Sequence, residues 1–450
     1  MSDSHVIVAL GRESDIAGVI ERAGLDGGRR LERAGDDVVH VPAWDLFRAG
    51  HALARETLEQ AAPSLAPLLD LSIGGAGFRR ALLVKMAYGA MSAEAPALSA
   101  AASAGAKAIT LIGGAASEAA ASRLSGRPVR TLAAAPSLQG HLKALDAMAR
   151  PWWRLNRAPV RGGMLAILGG ASEIPAIEAA IKALPPGMGV VVLLKTDRPL
   201  PEGALACLAA RPHVVVPLAQ AARGLVGRRL VAATRAALAR QFGPLANGEV
   251  LEGLPATLAG IAGHALGTAK WALALNGLVA HYRPRLIVGA LEKTIHGPIL
   301  SDLRHGRDFK VINLQHAVIA HSGVLAHMSF DAFATWGGLF SRACADDGYG
   351  PTDSLVEIGN PAWLDLAQAG PLAATDATIA LLPQPSGKGY VTPAVLQALY
   401  GAVLSYVQAR PHVRLLVKPH PADPGDPGAL YPGVEELRAA GRLEVLPAHG

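Results

Sequence analysis

Charged, aromatic and cysteine residues are all scarce in this 450-residue sequence. Charged residues make up 17% of the chain against a usual value of about 25%, while hydrophobic residues reach 51%, so wholesale disorder is excluded. Aromatic residues make up 4%, and no Lys/Arg-rich run with interleaved aromatics occurs, so we expect no nucleic-acid partner. The two cysteines, Cys207 and Cys344, form neither a CxxC pair nor a disulfide framework, which is typical of a reducing cytoplasm.

Several catalytic and binding motifs are also missing. The sequence has no HExxH, no HxH and no Cys/His cluster, so we expect no metal site. It has no GxSxG elbow, which argues against an α/β-hydrolase, and no GxxxxGK[ST] spacing, which argues against a nucleoside triphosphatase. The Gly-rich turns at 113–118 and 169–173 are not the GxGxxG of a dinucleotide-binding fold, so we interpret both as helix starts and expect no bound cofactor.

Long apolar stretches are interrupted. The longest weakly charged one, at 254–280, contains Pro255, Lys270 and four glycines, and it predicts a buried pair of helices rather than a membrane span. Acids at Asp3 and Glu13 flank the first apolar run, which is the wrong layout for a signal peptide. We therefore expect a cytoplasmic protein.

The charge balance permits anionic ligands. Forty-two Lys and Arg against 36 Asp and Glu give a net charge of +6, which suits an acidic substrate, a phosphate-bearing ligand or an anionic membrane surface. The segment at 150–163 carries four arginines and no acid, and its Pro and Gly predict a linker. We expect its tryptophans to pack on a neighbouring domain, and a peripheral contact with the inner membrane is the alternative.

Short β-branched or leucine-rich runs alternate with Ala-rich helical stretches, the pattern of βα units on a parallel sheet. Eleven runs are predicted as strands: 6–10, 108–112, 164–168, 190–194, 214–218, 286–288, 311–314, 332–336, 356–358, 379–382 and 413–417, with 443–446 as a candidate twelfth. In open α/β sheets, ligands bind at the carboxyl ends of the strands. The loops that follow these runs are therefore where chemistry is expected.

Three domains are predicted from this pattern. Residues 1–150 form an N-terminal α/β domain of unknown role, 160–370 a first Rossmann-like domain and 378–450 the start of a second. The last segment has only two clear βα steps, too few to cover both faces of a parallel sheet. We therefore expect the natural chain to continue beyond Gly450.

One predicted strand ends at Gln315 and His316. An imidazole at a strand end beside an amide donor can act as a general base or orient a hydroxyl, although such a histidine can also be structural. Two further predicted strands follow and end in Gly-rich turns, the second of which contains Asn360-Pro361; turn geometry alone also explains that pair.

Glu292, Lys293 and His296 come just past the predicted strand at 286–288. We expect them to face a cleft between domains, with Glu292 as a catalytic candidate beside His316 and Gln315. A helix N-terminus with an exposed acid explains them equally well.

Cationic side chains follow the two strands near the C-terminus. Two prolines fix the backbone around Lys418 and His420, so that both side chains can hold a diphosphate or phosphodiester. Ser386 and Lys388 lie in a Ser-Gly-Lys-Gly turn before a helix predicted to begin at Thr392-Pro393, a plausible anion site. A Pro-rich loop and a surface turn are the structural alternatives.

Four of these features occur in an order that resembles a known group. A strand ending in Gln315-His316-Ala317, a Trp336-Gly337 step, a Gly359-Asn360-Pro361 turn and a strand ending in Lys418-Pro419-His420-Pro421 span residues 286–421. This layout resembles bacterial surface-carbohydrate transferases, namely capsule polysaccharide Kdo-transferase-like proteins and, more distantly, CDP-glycerol glycerophosphotransferases.

The resemblance implies a GT-B architecture, in which two Rossmann-like domains face each other across the active site. It implies that His316 is a base or acceptor-orienting group, while Lys418 and His420 stabilise the departing nucleotide phosphate. Two departures from the family pattern stand out. Ala317 replaces a glycine and lacks its backbone freedom, and the family's serine-rich, acid-containing loop after the KPHP motif has no counterpart before Gly450.

The function implied is that of a glycosyltransferase. It would move a sugar from a nucleotide-activated donor, with a CMP-linked acidic sugar as a candidate, to a cell-envelope glycan or glycolipid acceptor; the donor is a substrate, and Ser386, Lys388 and Asn360 would help to bind it. A glycerol-phosphate-type transferase and a nucleotide-sugar epimerase are alternatives of the same fold. An inactive GT-B scaffold that binds a glycan or a partner enzyme is the third, and it would account for Ala317.

Overall fold

The structure is a computed structural model with three parallel sheets and one short antiparallel hairpin. It describes residues 5–10, 29–31, 43–73, 75–103, 105–132, 139–149, 160–195, 200–222, 225–242, 256–292, 294–316, 323–361, 377–383, 393–419 and 434–446. The chain is therefore a mixed α/β protein, as the alternation of apolar runs and Ala-rich stretches predicts.

The first sheet has four parallel strands in the order β2-β1-β5-β6. The strands before residue 150 are β1 (His5–Ala9), β2 (Arg29–Leu31), β3 (Ser72–Ile73), β4 (Ala76–Gly77), β5 (Ala108–Ile112) and β6 (Val129–Leu132), of which β3 and β4 form the hairpin. The sequence predicts β1 and β5 but misses β2 and β6. A three-residue strand with two arginines and a strand that alternates polar with apolar residues do not look like buried apolar runs.

Five Ala-rich helices are described before residue 150, and those at 43–69, 95–103 and 118–125 contribute to the core of this first sheet. Those described before residue 150 are α1 (Ala43–Leu69), α2 (Phe78–Gly89), α3 (Ala95–Ser103), α4 (Glu118–Ser125) and α5 (Gln139–Ala149). A π-helix, Ala90–Glu94, joins α2 to α3. The side chain of Ser117 accepts a hydrogen bond from the Ala120 amide at 3.2 Å and so caps α4, which confirms the turn at 113–118 as a helix start.

The second sheet is parallel throughout and has the strand order β13-β12-β11-β10-β7-β8-β9. Its strands are β7 (Met164–Leu168), β8 (Val190–Leu194), β9 (His213–Pro217), β10 (Leu286–Gly289), β11 (Lys310–Leu314), β12 (Ala332–Thr335) and β13 (Leu355–Glu357). The chain runs outward from β7 to β9, returns to the other side of β7 at β10, and runs outward again to β13. This is a Rossmann-like order, and its switch point lies between β7 and β10.

Helices flank this sheet. They are α6 (Ile174–Lys182), α7 (Leu218–Ala221), α8 (Arg228–Phe242), α9 (Ala256–Tyr282), α10 (His296–Leu303) and α11 (Gly338–Asp346). The predicted helix pair at 254–280 is wrong, because α9 is one continuous helix. A Cβ at Gly260 would lie 2.5 Å from the Gly114 carbonyl oxygen, so this glycine permits close packing instead of breaking the helix. No helix within the described ranges has the length and apolar character that a bilayer crossing requires.

The second sheet is buried on both faces. Leu165 and Ile167 of β7 join a large core that also includes Leu82 of α2 and Leu266 of α9. The alternate β7 side chains face the other way and pack with α6 through Ile177. Because side chains alternate along β7, one face of the sheet packs against helices from both halves of the chain. This packing holds the carboxyl edge of the sheet rigidly.

The third sheet is smaller and has its own core. It has the order β14-β15-β16, with β14 (Ala377–Leu381), β15 (Val413–Val417) and β16 (Leu443–Val445), and it packs against α12 (Pro393–Gln408) and α13 (Val434–Ala439). Its core contains Leu404, Val407 and Leu415. The start of α12 at Pro393 confirms the helix start predicted there. The domain boundaries near 150–160 and 370–378 fall beside undescribed ranges and stay predictions.

Candidate functional site

The loops that follow five strands of the second sheet line one cleft. The loops come from β7, β10, β11, β12 and β13. Its lining residues are Ser172, Glu173, Pro175, Ala176, Ile177, Ala290, Leu314, Gln315, His316, Trp336, Asn360 and Pro361. The cleft therefore lies at the carboxyl edge beside the switch point, where open α/β sheets bind ligands.

A histidine and a carboxylate from neighbouring strands meet at this cleft. Glu292 follows β10 and His316 follows β11, and His316 Nδ1 lies 2.8 Å from Glu292 Oε1. The backbone amide of His316 donates to the same oxygen at 3.2 Å. The His316 side chain is 26% exposed and that of Glu292 only 1%. Because Glu292 holds Nδ1, Nε2 is the ring nitrogen left to exchange a proton in the cleft.

The position of Glu292 corrects one expectation. Its carboxylate lies behind His316 instead of facing the cleft, because the parallel pairing of β10 and β11 brings the two strand ends side by side. Burial raises the pKa of Glu292, but the hydrogen bond and charge of His316 outweigh it, so the pKa is lowered overall. Within the described part of the chain, Glu292 Oε2 has no hydrogen-bond partner. The carboxylate thus orients the imidazole and is not among the lining residues of the cleft.

A second ion pair lies across the switch point. Glu173 follows β7 and Lys195 follows β8, with Glu173 Oε1 3.9 Å from Lys195 Nζ. Lys195 Nζ also donates to the Ala290 carbonyl oxygen at 2.8 Å, and Glu173 Oε2 accepts from the Gly169 amide at 2.6 Å. A Cβ at Gly169 would lie 2.5 Å from Glu173 Oε1, so a larger residue there would displace the Glu173 carboxylate from its present position. The pair ties the loop after β7 to the loop that carries Glu292.

Burial dominates the electrostatics of this second pair. It raises the pKa of Glu173, against the opposing effects of Lys195, the Gly169 amide and His316. It also lowers the pKa of Lys195, although the charges of Glu173 and Glu292 act the other way. In a dinucleotide-binding fold, the turn after the first strand holds a phosphate. In this chain the corresponding turn, after β7, holds the carboxylate of Glu173 instead.

Two buried amides fix the loops around the cleft. Gln315 Oε1 accepts a hydrogen bond from the Trp336 amide at 2.8 Å, which holds β11 against β12. Asn313 Oδ1 accepts one from the Leu291 amide at 2.6 Å, which fixes the turn leading to Glu292. Gln315 is 3% exposed and also lines the cleft; the hydrogen bond to Trp336 positions the strand ends, and the catalytic part predicted for Gln315 stays a prediction.

The structure brings some predicted residues together and separates others. Asn360, which the resemblance assigns to donor binding, lines the same cleft as His316. Lys418 lies at the end of β15 in the third sheet, where its amide donates to the Leu381 carbonyl oxygen, and it does not line this cleft. His420, Ser386, Lys388, Lys293 and Ala317 lie outside the described residues. His296, expected in a cleft, is buried at the start of α10.

Sequence reasoning missed three residues of the site: Glu173, Lys195 and Trp336. Glu173 lies in the Gly-rich turn at 169–173. The signal that could have identified it is an acidic residue in the turn after the first strand of a Rossmann-like unit. Lys195 was a lone cation at the end of the run predicted at 190–194, and Trp336 was assigned to the end of a strand. The three residues can be recognised as members of one site only from the strand order, because it brings the ends of β7, β8, β10 and β12 together at one edge of the sheet.

No family model matches the chain, and a search of curated proteins finds no match either. The surface-carbohydrate transferase resemblance therefore stays a hypothesis, and the functional argument depends on the site alone. The described ranges contain no group of three or more His, Cys, Asp or Glu side chains arranged to hold a metal ion. What the site does contain is a carboxylate-oriented imidazole in the lining of a cleft that also includes one aromatic residue, Trp336.

Proposed function

We propose that this chain is a glycosyltransferase that moves a sugar from a nucleotide-activated donor to a hydroxyl of a cell-envelope glycan or glycolipid. The cleft of the second sheet would bind the acceptor. The third sheet would bind the donor nucleotide in a facing, GT-B-like arrangement, with Lys418, His420 and the turn carrying Ser386 and Lys388 near its phosphates.

The single observation that carries the proposal is the contact of His316 Nδ1 with Glu292 Oε1 at 2.8 Å. A carboxylate 1% exposed and with one unpartnered oxygen is costly to bury, so a purely structural role gives little reason to keep it. An imidazole held at one nitrogen and open at the other is the arrangement of a general base. This favours an enzyme over an inactive scaffold.

The cleft has the chemistry of a polyol site. Trp336 offers an aromatic wall, and its ring packs edge-on against Phe340 with centroids 5.6 Å apart, which holds it in place. Ser172 and Asn360 add short polar side chains along the lining. Because Glu173 already occupies the turn after β7, the cleft favours hydroxyl groups over a phosphate at that point.

The reaction follows from these positions. His316 Nε2 accepts the proton of an acceptor hydroxyl as its oxygen bonds to the anomeric carbon of the donor sugar. The bond from that carbon to the nucleotide phosphate oxygen breaks, and the phosphate leaves with the electron pair. The buried Glu292 carboxylate stabilises the imidazolium that forms, and cationic groups of the third sheet would stabilise the charge on the leaving phosphate.

The test is a panel of nucleotide sugars and CDP-glycerol with envelope glycan acceptors, scored by nucleotide release and by product mass. With an active donor, His316→Gln should lower kcat by about 10²–10⁴-fold, the usual contribution of acid–base catalysis, with circular dichroism unchanged. The matched control is His213→Gln, an exposed histidine on β9.

The same panel separates the alternatives. Release of CMP from CDP-glycerol with glycerol phosphate added to the acceptor would indicate a glycerol-phosphate transferase. Conversion of the nucleotide sugar without an acceptor would indicate an epimerase. Ligand binding with no turnover, or an active His316→Gln variant within a few-fold of the parent, would contradict the proposed mechanism.

A further inference from the structure

The segment 290–292, which carries Glu292, is buried throughout although it lies beyond the end of its strand. β10 ends at Gly289, and its pairing with β7 and β11 ends there as well. Buried backbone amides and carbonyls need hydrogen-bond partners, and strand pairing no longer supplies them along this segment. Side chains from other elements do so instead, at three successive residues.

Two of these side chains come from strands on opposite sides of β10. Lys195 directly follows β8, and its Nζ donates to the Ala290 carbonyl oxygen at 2.8 Å. Asn313 lies in β11, and its Oδ1 accepts from the Leu291 amide at 2.6 Å. The side chain of Lys195 is 14% exposed, and Asn313 is 0% exposed. Burial of an ammonium group and a carboxamide costs free energy, which these hydrogen bonds partly offset.

The third side chain comes from the N-terminal part of the chain. Tyr88 lies on α2, and its hydroxyl donates to the Glu292 carbonyl oxygen at 3.3 Å. α2 also packs against α9 and α10 in the large core that covers one face of the second sheet. The segment 290–292 is thus held from α2, from β11 and from the loop after β8. We call Lys195, Asn313 and Tyr88 the anchor residues.

The position of Glu292 determines which nitrogen of His316 carries the proton. Burial acts to raise the pKa of Glu292, but the pKa is lowered overall, so the carboxylate is ionised and can only accept hydrogen bonds. His316 Nδ1, 2.8 Å from Glu292 Oε1, is therefore the protonated nitrogen of the neutral ring, and Nε2 is free of a proton. A ring protonated at Nε2 instead cannot accept a proton there.

We propose that Lys195, Asn313 and Tyr88 are positioning residues that hold Glu292 in place and thereby select the Nδ1–H tautomer of His316. Water could satisfy the same backbone groups, but it would not fix their positions, whereas side chains from packed elements do both. Loss of an anchor residue would let the segment 290–292 shift, lengthen the contact of Nδ1 with Oε1 and favour the Nε2–H ring. The part of the anchor residues in sugar transfer rests on the proposed function, but their effect on the tautomer does not.

The test measures the tautomer in the full chain, with no donor or acceptor present. Imidazole ¹⁵N chemical shifts distinguish Nδ1–H from Nε2–H, and comparison with His316→Gln assigns the signals of His316 among the 15 histidines. Spectra are recorded at about pH 8.5, about two units above the ordinary pKa of a histidine, where imidazole rings are neutral. In the parent, the Nδ1–H form of His316 should predominate.

Removal of an anchor residue should shift this balance. Lys195→Met and Asn313→Leu, which keep the approximate shape of the side chains, should each raise the ratio of Nε2–H to Nδ1–H by about fivefold or more. Tyr88→Phe removes only the hydroxyl of the longest of the three hydrogen bonds and should raise the ratio by about twofold.

The matched control is Thr335→Val. Thr335 is buried at the end of β12, which β11 separates from β10, and its hydroxyl shares a hydrogen bond of 2.8 Å with the Ser341 hydroxyl. The variant loses a buried hydrogen bond at the same edge of the sheet without touching the segment 290–292. It should lose stability and keep the tautomer ratio of the parent.

A parent in which the Nε2–H form of His316 predominates overturns the proposal without any variant. An unchanged ratio in the folded anchor variants overturns it too, and so does an equal change in Thr335→Val. Should Lys195→Met and Asn313→Leu both fail to fold by circular dichroism, Tyr88→Phe decides, because it removes a single hydroxyl from a half-buried ring.

Activity separates this proposal from the proposed function. With an active donor, Lys195→Met and Asn313→Leu should lower kcat by about tenfold or more, with the KM for the acceptor within about twofold of the parent value. Sugar transfer with an unchanged tautomer ratio in the anchor variants contradicts the positioning role and leaves the proposed function intact. A tautomer that depends on the anchor residues in a chain that transfers no sugar contradicts the proposed function and leaves the positioning of His316 intact.

Discussion

The second and third sheets are both parallel, yet they differ in how their strands are covered. Every residue of β7 is buried, with helices on both faces, whereas the β14 residues are exposed or half-buried. Leu382, just past β14, is 69% exposed, and Tyr406 on α12 is 46% exposed. A sheet enclosed on both sides can hold side chains at its edge with fixed geometry, and a sparsely covered one provides less support.

Under the proposed function, the two sheets would carry different parts of the reaction, in line with this difference. The enclosed sheet carries the parts that need accurate placement, the His316–Glu292 and Glu173–Lys195 pairs, each held by hydrogen bonds from neighbouring strand ends. The proposed function assigns to the smaller sheet Lys418, just past β15, as a cation that would stabilise the leaving phosphate. Proton transfer tolerates little misplacement, while electrostatic attraction to a phosphate is less demanding.

The largest expected effect tests whether the two sheets are separate folding units. Leu266→Ala removes a side chain with 0% exposure from the large core, and Leu404→Ala removes one with 4% exposure from the small core. Each should cost about 2–5 kcal/mol of unfolding free energy, but in different transitions, because the two residues belong to different cores. Differential scanning calorimetry measures both. A single transition that both variants lower equally would show that the two sheets unfold together.

The next effect tests the division of labour between the sheets. Lys418→Ala combined with His420→Ala should weaken nucleotide affinity by at least about tenfold, since hydrogen bonds to charged groups contribute about 1.5–3 kcal/mol each. His316→Gln should leave nucleotide affinity unchanged, because His316 lines the cleft of the second sheet, which the proposal assigns to the acceptor. Calorimetric titration with the donor's nucleotide gives both values. Equal losses in the two variants, or no loss in the double variant, would refute the assignment.

The smallest effect compares the two carboxylates of the enclosed sheet by pH. The pKa of Glu292 is lowered from 4.5, so its contribution to stability is present above that value and is lost as the pH falls through the lower, folded pKa. The pKa of Glu173 is raised from 4.5, so its contribution is present below that value and is lost as the pH rises through the higher, folded pKa.

Thermal melts between pH 3 and 8 check these opposite signs. The stability deficit of Glu292→Gln relative to the parent should grow with pH in the acidic range and then level off above about 4.5. Relative to the same parent, Glu173→Gln should instead gain stability as the pH rises above about 4.5. The same slope for both variants would contradict the opposite electrostatic roles of the two carboxylates.

Much of the fold could be predicted from the sequence, because buried parallel strands are continuous apolar runs. The runs at 108–112, 164–168, 190–194 and 413–417 match strands β5, β7, β8 and β15 residue for residue. The misses have local causes: β2 and β6 are polar, and the glycines of α9 pack against neighbours without breaking the helix. Apolar periodicity reports burial, so it fails where a strand is polar or where close packing requires glycine.

The sequence by itself determined that the chain is α/β and that His316 and Asn360 follow strands. Only the tertiary structure decided that Glu292 lies under His316 and that Glu173 meets Lys195. The reason is that a parallel sheet orders its strands independently of chain order. Residues 24 positions apart, such as Glu292 and His316, or 95 positions apart, such as Lys195 and Ala290, become neighbours only through strand order.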